Sequence, residues 1–498
     1  MRKVITPDYL EENDTSILKK GKGLNPFLLV IVSFAFVILV GTLLLFLPVS
    51  LKKGYDADYA HWWSHLLNCF FVATSATCVT GLNSFNAGLA DTFNIFGQIV
   101  VLVMIQIGGL GFITVLSFFL TLFSRHVKFK NRLFLAQATG STSFGRVVVF
   151  VRKIILISFV SELIGAILSY PAFFEMKKVT YGNTAMAAAE AIWPSIFHSV
   201  SSFNNAGFDI IGGTSLVRDM TSSSPELVGM PGWAYTYLLI VTMLLIVVGG
   251  ISFLVILDIF SFKRFKQYKV FTKIVLVTTG FLLTVGSVLF ILFECFRTDI
   301  NAMTPLDAIF QSVTCRTAGF ASYNQANLSI GGRIVSCLLM FIGGSPLSTA
   351  GGIKTTTIFM VGLALYSYLT GKELSAFKRA YSSRMVLKAM SLVTTAIMLV
   401  VIAYGSMAAI ENNSTAEIYT DNNNKAAVLF FETFSAFGTV GLSANLTPHL
   451  QWGSKLIIII LMFIGRLGPM TMFQVFQSNM DKKSKLHYQL VEEDFLIG

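Results

Sequence analysis

Four short segments combine small hydroxyl residues, apolar residues and a closing glycine. They are Ser75-Ala-Thr-Cys-Val-Thr-Gly81-Leu82, Ser201-Ser-Phe-Asn-Asn-Ala-Gly207-Phe208, Thr314-Cys-Arg-Thr-Ala-Gly319-Phe320 and Ser435-Ala-Phe-Gly-Thr-Val-Gly441-Leu442. Their glycines are 126, 112 and 122 residues apart. The chemistry open to such segments is coordination of a dehydrated cation. Such an ion needs several oxygen ligands, and rings of backbone carbonyls supply them. Turning successive carbonyls toward one point demands dihedrals that disfavour a Cβ, so one glycine per strand is expected. The lining strands are assigned to Val79-Thr80-Gly81, Asn205-Ala206-Gly207, Thr317-Ala318-Gly319 and Thr439-Val440-Gly441.

The segments leading into these strands align by their own residues. Phe71, Phe197 and Phe431 stand ten residues before their glycines, and Phe310 stands nine before Gly319. Hydroxyl residues recur between aromatic and glycine: Thr74 and Ser75, Ser199 and Ser201, Ser312 and Thr314, Thr433 and Ser435. About 14 residues of helix cannot cross about 30 Å of hydrocarbon, so each segment must be re-entrant or buried. Long apolar runs flank every copy. The reading is eight spans and four half-inserted helices, with outer spans near 26–48, 147–174, 271–296 and 385–410. Short helices fall near 60–77, 186–203, 303–315 and 425–437, and second spans near 94–123, 233–260, 331–370 and 453–477. Four matching interruptions imply a central cavity on a pseudo-fourfold axis, because non-helical backbone at membrane depth must line water or lie within protein. The fold class is an all-α polytopic membrane protein of four helix–re-entrant loop–helix repeats. Its parts are an N-terminal tail (1–25), repeats at 26–123, 124–261, 262–370 and 371–478, and a C-terminal tail (479–498).

Composition agrees. Of 498 residues, 54% are hydrophobic and 13% charged, against about 25% charged in soluble proteins. The net charge of +11 is unevenly spread: segments 1–26, 124–153, 261–273, 371–388 and 478–498 hold 25 of the 37 basic residues but nine of the 26 acidic ones. Basic segments stay on the cytoplasmic side, which puts both termini inside the cell and the chain in the cell membrane. A nucleic-acid surface is therefore not expected. The five cysteines have no CxxC or His/Cys metal spacing, so they read as small buried hydrophobes. A polar tail precedes the first long apolar run, unlike a cleavable signal. No HExxH, phosphate loop or His/carboxylate cluster points to an enzyme. An alternating-access carrier of another solute is the competing class, but such carriers show paired repeats with broken helices.

At this point the chain resembles the Trk/Ktr/HKT superfamily of potassium transporters, most closely the Ktr-type membrane subunit. The resemblance rests on the four glycine strands, on Gln106-Ile-Gly-Gly-Leu-Gly111, on the stretch Gly343 to Thr357 and on Gly465-Arg-Leu-Gly-Pro469, with Glu492–Gly498 at the C-terminus. It implies potassium uptake, a homodimer, and a separate cytoplasmic ring that binds nucleotide. It also implies that the stretch with Gly343, Gly344, Ser348, Gly351, Gly352 and Lys354 is a gating loop under the filter. A plain helix kink is the simpler reading of those residues. With one glycine per strand, sodium passage and sodium coupling stay open. No bound cofactor is expected; potassium is the expected cargo, with sodium left open as a second ion.

Single charged residues in apolar surroundings complete the candidates. Arg466 is expected to face the interior near the loop, as an electrostatic barrier or as a brace on carbonyls. Arg316 should turn behind the filter toward Glu432 or Asp307. Those two acids sit on short helices and would raise cation concentration at the mouth. Glu162, His65 and His198 read as structural partners. The basic loops could contact the regulatory ring or anionic lipid.

Overall fold

The computed structural model describes residues 26–53, 62–111, 144–211, 215–218, 225–261, 264–298, 302–412 and 422–468. Both tails, the stretch 112–143, most of 411–425 and everything from Pro469 on lie outside the described residues. So do the ends expected for the second spans at 94–123 and 453–477.

Each repeat has an outer helix, a short central helix and an inner helix. In the first these are α1 (Pro26–Phe46), α2 (Trp62–Thr77) and α3 (Ile95–Leu110). The second has α4 (Phe144–Tyr181), α5 (Ile192–Phe203) and α6 (Gly232–Gly250). The third has α7 (Val270–Phe290), α8 (Pro305–Thr314) and an inner helix broken into α9 (Ile330–Phe341) and α10 (Thr355–Thr370). The fourth has α11 (Ser383–Glu411), α12 (Asn422–Gly438) and α13 (Trp452–Leu467). Among the described residues four helical stretches, Val149–Tyr181, Gly232–Gly250, Val270–Cys295 and Ser383–Glu411, are long and apolar enough to cross a membrane; Ile31–Phe46, Ile95–Leu110, Ile330–Phe341 and Thr355–Thr370 are shorter and apolar.

Polar contacts tie the outer helix to the start of the inner one, where backbone groups would otherwise lack partners. Asn94 caps α3 by accepting from the Gly97 N–H (3.1 Å), and its amide donates to the carbonyls of Val49 and Leu51 just past α1. Ser329 caps α9 by accepting from the Gly332 N–H (3.0 Å), and its hydroxyl donates to the buried Glu294 (2.6 Å) in the π-helical turn after α7. Glu411, at the end of α11, accepts from the Gln451 N–H at the start of α13 (2.9 Å). These contacts fold the first, third and fourth repeats back on themselves.

The burial pattern runs inside out across the bundle. Phe71, Phe197, Phe310 and Phe431, the residues that align the four copies, are at most 1% exposed, and all eight hydroxyl residues named with them are buried. The outer helices instead expose large apolar side chains, such as Phe36, Leu163, Ile167, Phe281 and Ile402. An apolar exterior of this extent suits hydrocarbon rather than water. The polar residues of the short helices are thus gathered at the centre.

Candidate functional site

The centre is a ring of backbone. Each short helix stops at a strand with one dihedral signature: the first residue is left-handed (Val79 φ 56°, Asn205 58°, Thr317 73°, Thr439 50°), and so is the glycine (Gly81 96°, Gly207 68°, Gly319 83°, Gly441 97°). Left-handed backbone is strained at the β-branched Val79, Thr317 and Thr439, and its recurrence in all four strands needs a common cause. That cause is visible in how the strands meet. A methyl group built on Gly81 would lie 2.5 Å from the Ala206 carbonyl oxygen, and one on Gly207 would lie 2.7 Å from that of Ala318. One on Gly319 would strike the Val440 carbonyl, and one on Gly441 the Thr80 carbonyl, which closes the circle. All twelve residues assigned from sequence are thereby brought together, strand beside strand in chain order.

Hydrogen bonds to the helix ends hold the strands. The N–H groups of Thr80, Ala206 and Val440 donate to carbonyls five residues back, those of Ser75, Ser201 and Ser435 (2.8–2.9 Å). In the third strand Ala318 donates to Thr314, four back (3.0 Å). The one-residue shortening before Gly319 is therefore absorbed in this turn. The recurrent hydroxyls have a role here too: the Gly81 and Gly441 N–H groups donate to Ser75 Oγ and Ser435 Oγ, each at 3.1 Å.

On one side all four glycines form the floor of a vestibule of about 660 Å³. Its walls come from the loops that follow the strands and include Asn83, Asp209, Ala321 and Ser443. Asp209 Oδ1 accepts from the Ile211 N–H (3.2 Å). Desolvation pushes its carboxyl up to about 6, against hydrogen bonds from Ser215 and Ile211 that favour the charged form.

On the other side lies the interruption between α9 and α10. Residues 342–354 are non-helical, with a parallel bridge joining Ile342 and Ile353. The loop folds back so tightly that a Cβ on Gly343 would strike the Gly351 carbonyl, and one on Gly351 would strike Thr439 Oγ1 of the ring. Thr349 is its anchor: the hydroxyl bonds with the carbonyls of Gly249 (2.9 Å) and Phe203 (3.2 Å), and the carbonyl accepts from Arg466 Nη1. Arg466 Nη2 also donates to Gly108 at the end of α3. Arg466 is thus a cross-brace between the first and fourth inner helices and the loop. Lys354 Nζ donates to Ala350 (2.8 Å) and Gly351 (3.3 Å), Ser348 Oγ donates to Ser345 (2.7 Å), and Gly344 and Gly352 fill tight points of the fold.

Several expected partners differ. Arg316 does not reach Glu432 or Asp307; its Nη2 donates to the Gly343 carbonyl (3.3 Å), so it supports the loop. Glu432 does not face the vestibule. It is fully buried and accepts from Ser443 Oγ (2.5 Å), the Ala444 N–H (3.2 Å) and Thr447 Oγ1 (3.0 Å), bracing the loop after the fourth strand. Asp307 forms a capping pair with Thr304 at the start of α8 (2.5 Å). Among the described residues the acid that lines the vestibule is Asp209, which sequence reasoning missed. Glu162 is structural as expected, accepting from Gln106 Nε2 (2.9 Å) and from Asn204 Nδ2 (3.0 Å). His198 pairs with Thr242 Oγ1 (2.8 Å) and His65 contacts Cys69.

A second internal alignment was also missed. Gly108-Gly109, Gly249-Gly250 and Gly343-Gly344 stand at the ends of the first three inner helices, and Gly465-Arg466 at the fourth. A Cβ on Gly108, Gly249 or Gly465 would strike the carbonyl of Thr77, Phe203 or Phe437, two residues before a strand. The repeated glycine pair in the sequence could have revealed this contact, with Arg466 as the exception.

Fold and site together define a polytopic helical membrane protein whose four glycine strands meet backbone to backbone at its centre. Comparison with known proteins agrees. The family described as "TrkH: Cation transport protein" matches residues 25–488, and the chain belongs to that family. It is 34% identical over 496 residues to the "Potassium/sodium uptake protein NtpJ" of Enterococcus hirae, covering 97% of this chain and 100% of that one. It is 34% identical over 464 residues to the "Ktr system potassium uptake protein B" of Bacillus subtilis, covering 92% and 94%. The crystal structure of the potassium transporter TrkH from Vibrio parahaemolyticus shares the fold at a TM-score of 0.63 and 17% identity, over 92% of this chain and 86% of that one. These relatives are transport proteins rather than enzymes.

Gly182 provides a control for the ring contacts, since it has φ 62° with no atom within 4 Å of a Cβ built on it. Gly182→Ala should therefore cost only the left-handed penalty of about 1–2 kcal/mol. Gly207→Ala should cost more, because its neighbour is backbone. Thermal melting of the detergent-solubilised protein checks this; equal shifts would mean that the ring contacts do not matter.

Proposed function

We propose that the protein takes up potassium across the cell membrane through the ring formed by Val79-Thr80-Gly81, Asn205-Ala206-Gly207, Thr317-Ala318-Gly319 and Thr439-Val440-Gly441. Cyclic packing of the four glycines carries this reading, because it turns scattered segments into one carbonyl-walled constriction. The helices α2, α5, α8 and α12 end at the strands, which directs the negative ends of their dipoles toward a cation there. The eight apolar helices, counting the broken one once, act as spans, and the four short helices and their strands as re-entrant loops.

The loop from Gly343 to Lys354 is the gate. Contact of Gly351 with Thr439 puts it directly beneath the ring, and its Ser348, Gly344 and Gly352 let it fold into so short a space. Arg466 latches the loop through Thr349, and its charge, with that of Lys354, opposes a cation while the latch is closed. Both termini are cytoplasmic, so the vestibule faces outward and the loop inward.

Potassium is the preferred cargo because both relatives at 34% identity are named for its uptake. One of them is also named for sodium, and sodium belongs to the proposal as a second ion, permeant or coupled. Relatives named as parts of a Ktr system support a partner subunit for this chain; the homodimer and the separate cytoplasmic nucleotide-binding ring are what the family resemblance implies, with the basic inner loops supplying the contacts.

Expression in a host lacking potassium uptake, with the cytoplasmic partner supplied, should lower the potassium needed for growth. No such effect from correctly inserted protein would count heavily against the proposal. Gly81→Ser and Gly319→Ser should each weaken discrimination between rubidium and sodium in tracer uptake; unchanged preference in both would remove these strands from the filter. Deletion of 346–353 should raise rubidium flux, and Arg466→Gln should shift it the same way. Unchanged or lower flux with normal insertion would make the loop a scaffold.

A further inference from the structure

The position two residues beyond each ring glycine is occupied by Asn83, Asp209, Ala321 and Ser443, and all four line the vestibule. They form a second tier above the glycines, and the tier is unequal: one amide, one carboxylate, one methyl and one hydroxyl. Among the described lining residues, Asp209 is the only acid, and no lysine or arginine lines the cavity with it. None of the ion pairs formed by described residues involves it.

A turn explains why an oxygen acceptor stands at this position, but it does not explain the charge. Asp209 Oδ1 accepts from the N–H two residues on, that of Ile211, at 3.2 Å. Asn83 makes the equivalent bond in the first repeat, its Oδ1 accepting from the Phe85 N–H at 3.1 Å. A neutral amide therefore serves the same turn. The full negative charge at 209 is surplus to the backbone's needs, and it stands on the wall of a cavity whose floor is the ring. A carboxylate in a water-filled recess bounded by low-dielectric protein concentrates cations there and speeds their entry.

We propose that Asp209 is an outer loading site for the transported monovalent cation, holding a partly hydrated ion in the vestibule before it enters the ring. The inference rests on the potassium-uptake reading and adds a specific residue to it. Ser443 at the matching position is occupied by Glu432, to which its hydroxyl donates, and Ala321 has no polar side chain. The charge of the tier thus comes from the second repeat alone.

The test is rubidium uptake by cells carrying the full chain and its cytoplasmic partner. Uptake is measured as a function of rubidium concentration for the natural protein, D209N and D209E. Asn at 209 keeps the turn acceptor and removes only the charge, so D209N should raise the apparent KM about threefold to tenfold with maximal rate retained. D209E should stay near the natural value. Impermeant choline chloride, raised from about 10 to about 300 mM, should screen the carboxylate and close the gap between the natural protein and D209N. An unchanged KM in D209N, or a KM shift that ionic strength leaves intact, overturns the proposal. If D209N fails to insert, the natural protein still decides: its KM must rise with choline chloride, and a flat KM overturns the proposal. Absence of rubidium uptake by the natural protein would instead sink the potassium reading, and this one with it.

Discussion

Four backbone contacts, each between a left-handed glycine and the carbonyl of the next strand, govern the rest of the molecule. No side chain fits at Gly81, Gly207, Gly319 or Gly441, because the space is already held by the neighbouring backbone. Such close approach is stable only if every strand is held from behind. The buried hydroxyls and aromatics of the short helices supply that support, and the helix ends accept the strand N–H groups. The outer and inner helices enclose this polar centre and present apolar side chains to the surroundings. Left-handed Val79, Thr317 and Thr439, which are costly on their own, persist because the ring over-determines them.

The ring is fourfold in its backbone and asymmetric in what surrounds it. Among the described residues the third repeat has the shortened turn before its strand, and its inner helix is broken over residues 342–354, where that of the second repeat is interrupted only at Ile251 and Ser252. The fourth alone replaces the second glycine of the inner-helix pair with Arg466, and that arginine reaches the loop of the third repeat and the inner helix of the first. The second repeat alone carries asparagines at the end of its short helix, and Asn204 binds it to Gln106 and Glu162. A single chain can specialise its quarters in this way, whereas four identical subunits would repeat every change.

Much of this was readable from residue types and spacing. The recurrent aromatic, hydroxyl and glycine positions found the repeats, located the short helices and picked out all twelve ring residues. What sequence alone missed was direction. Arg316, Glu432 and Asp307 were placed on the right elements but paired wrongly, because a helix position does not say which neighbour a long side chain will reach. Arg316 found a carbonyl of the broken helix, a group freed only once the loop 342–354 has formed. Asp209 escaped notice because it looks like an ordinary turn residue; the vestibule it shares with Asn83 exists only once the loops are folded together, and there its charge sets it apart. The left-handed residues before each glycine were likewise invisible, since valine and threonine normally signal extended backbone.

The four strands are proposed to act as one ion site. Soaking or preparing the protein in rubidium and recording anomalous diffraction tests it most directly. The account predicts rubidium on the axis of the ring, within coordination distance of the carbonyls of Thr80, Ala206, Ala318 and Val440. An empty axis, with rubidium ordered only elsewhere in the protein, would contradict it.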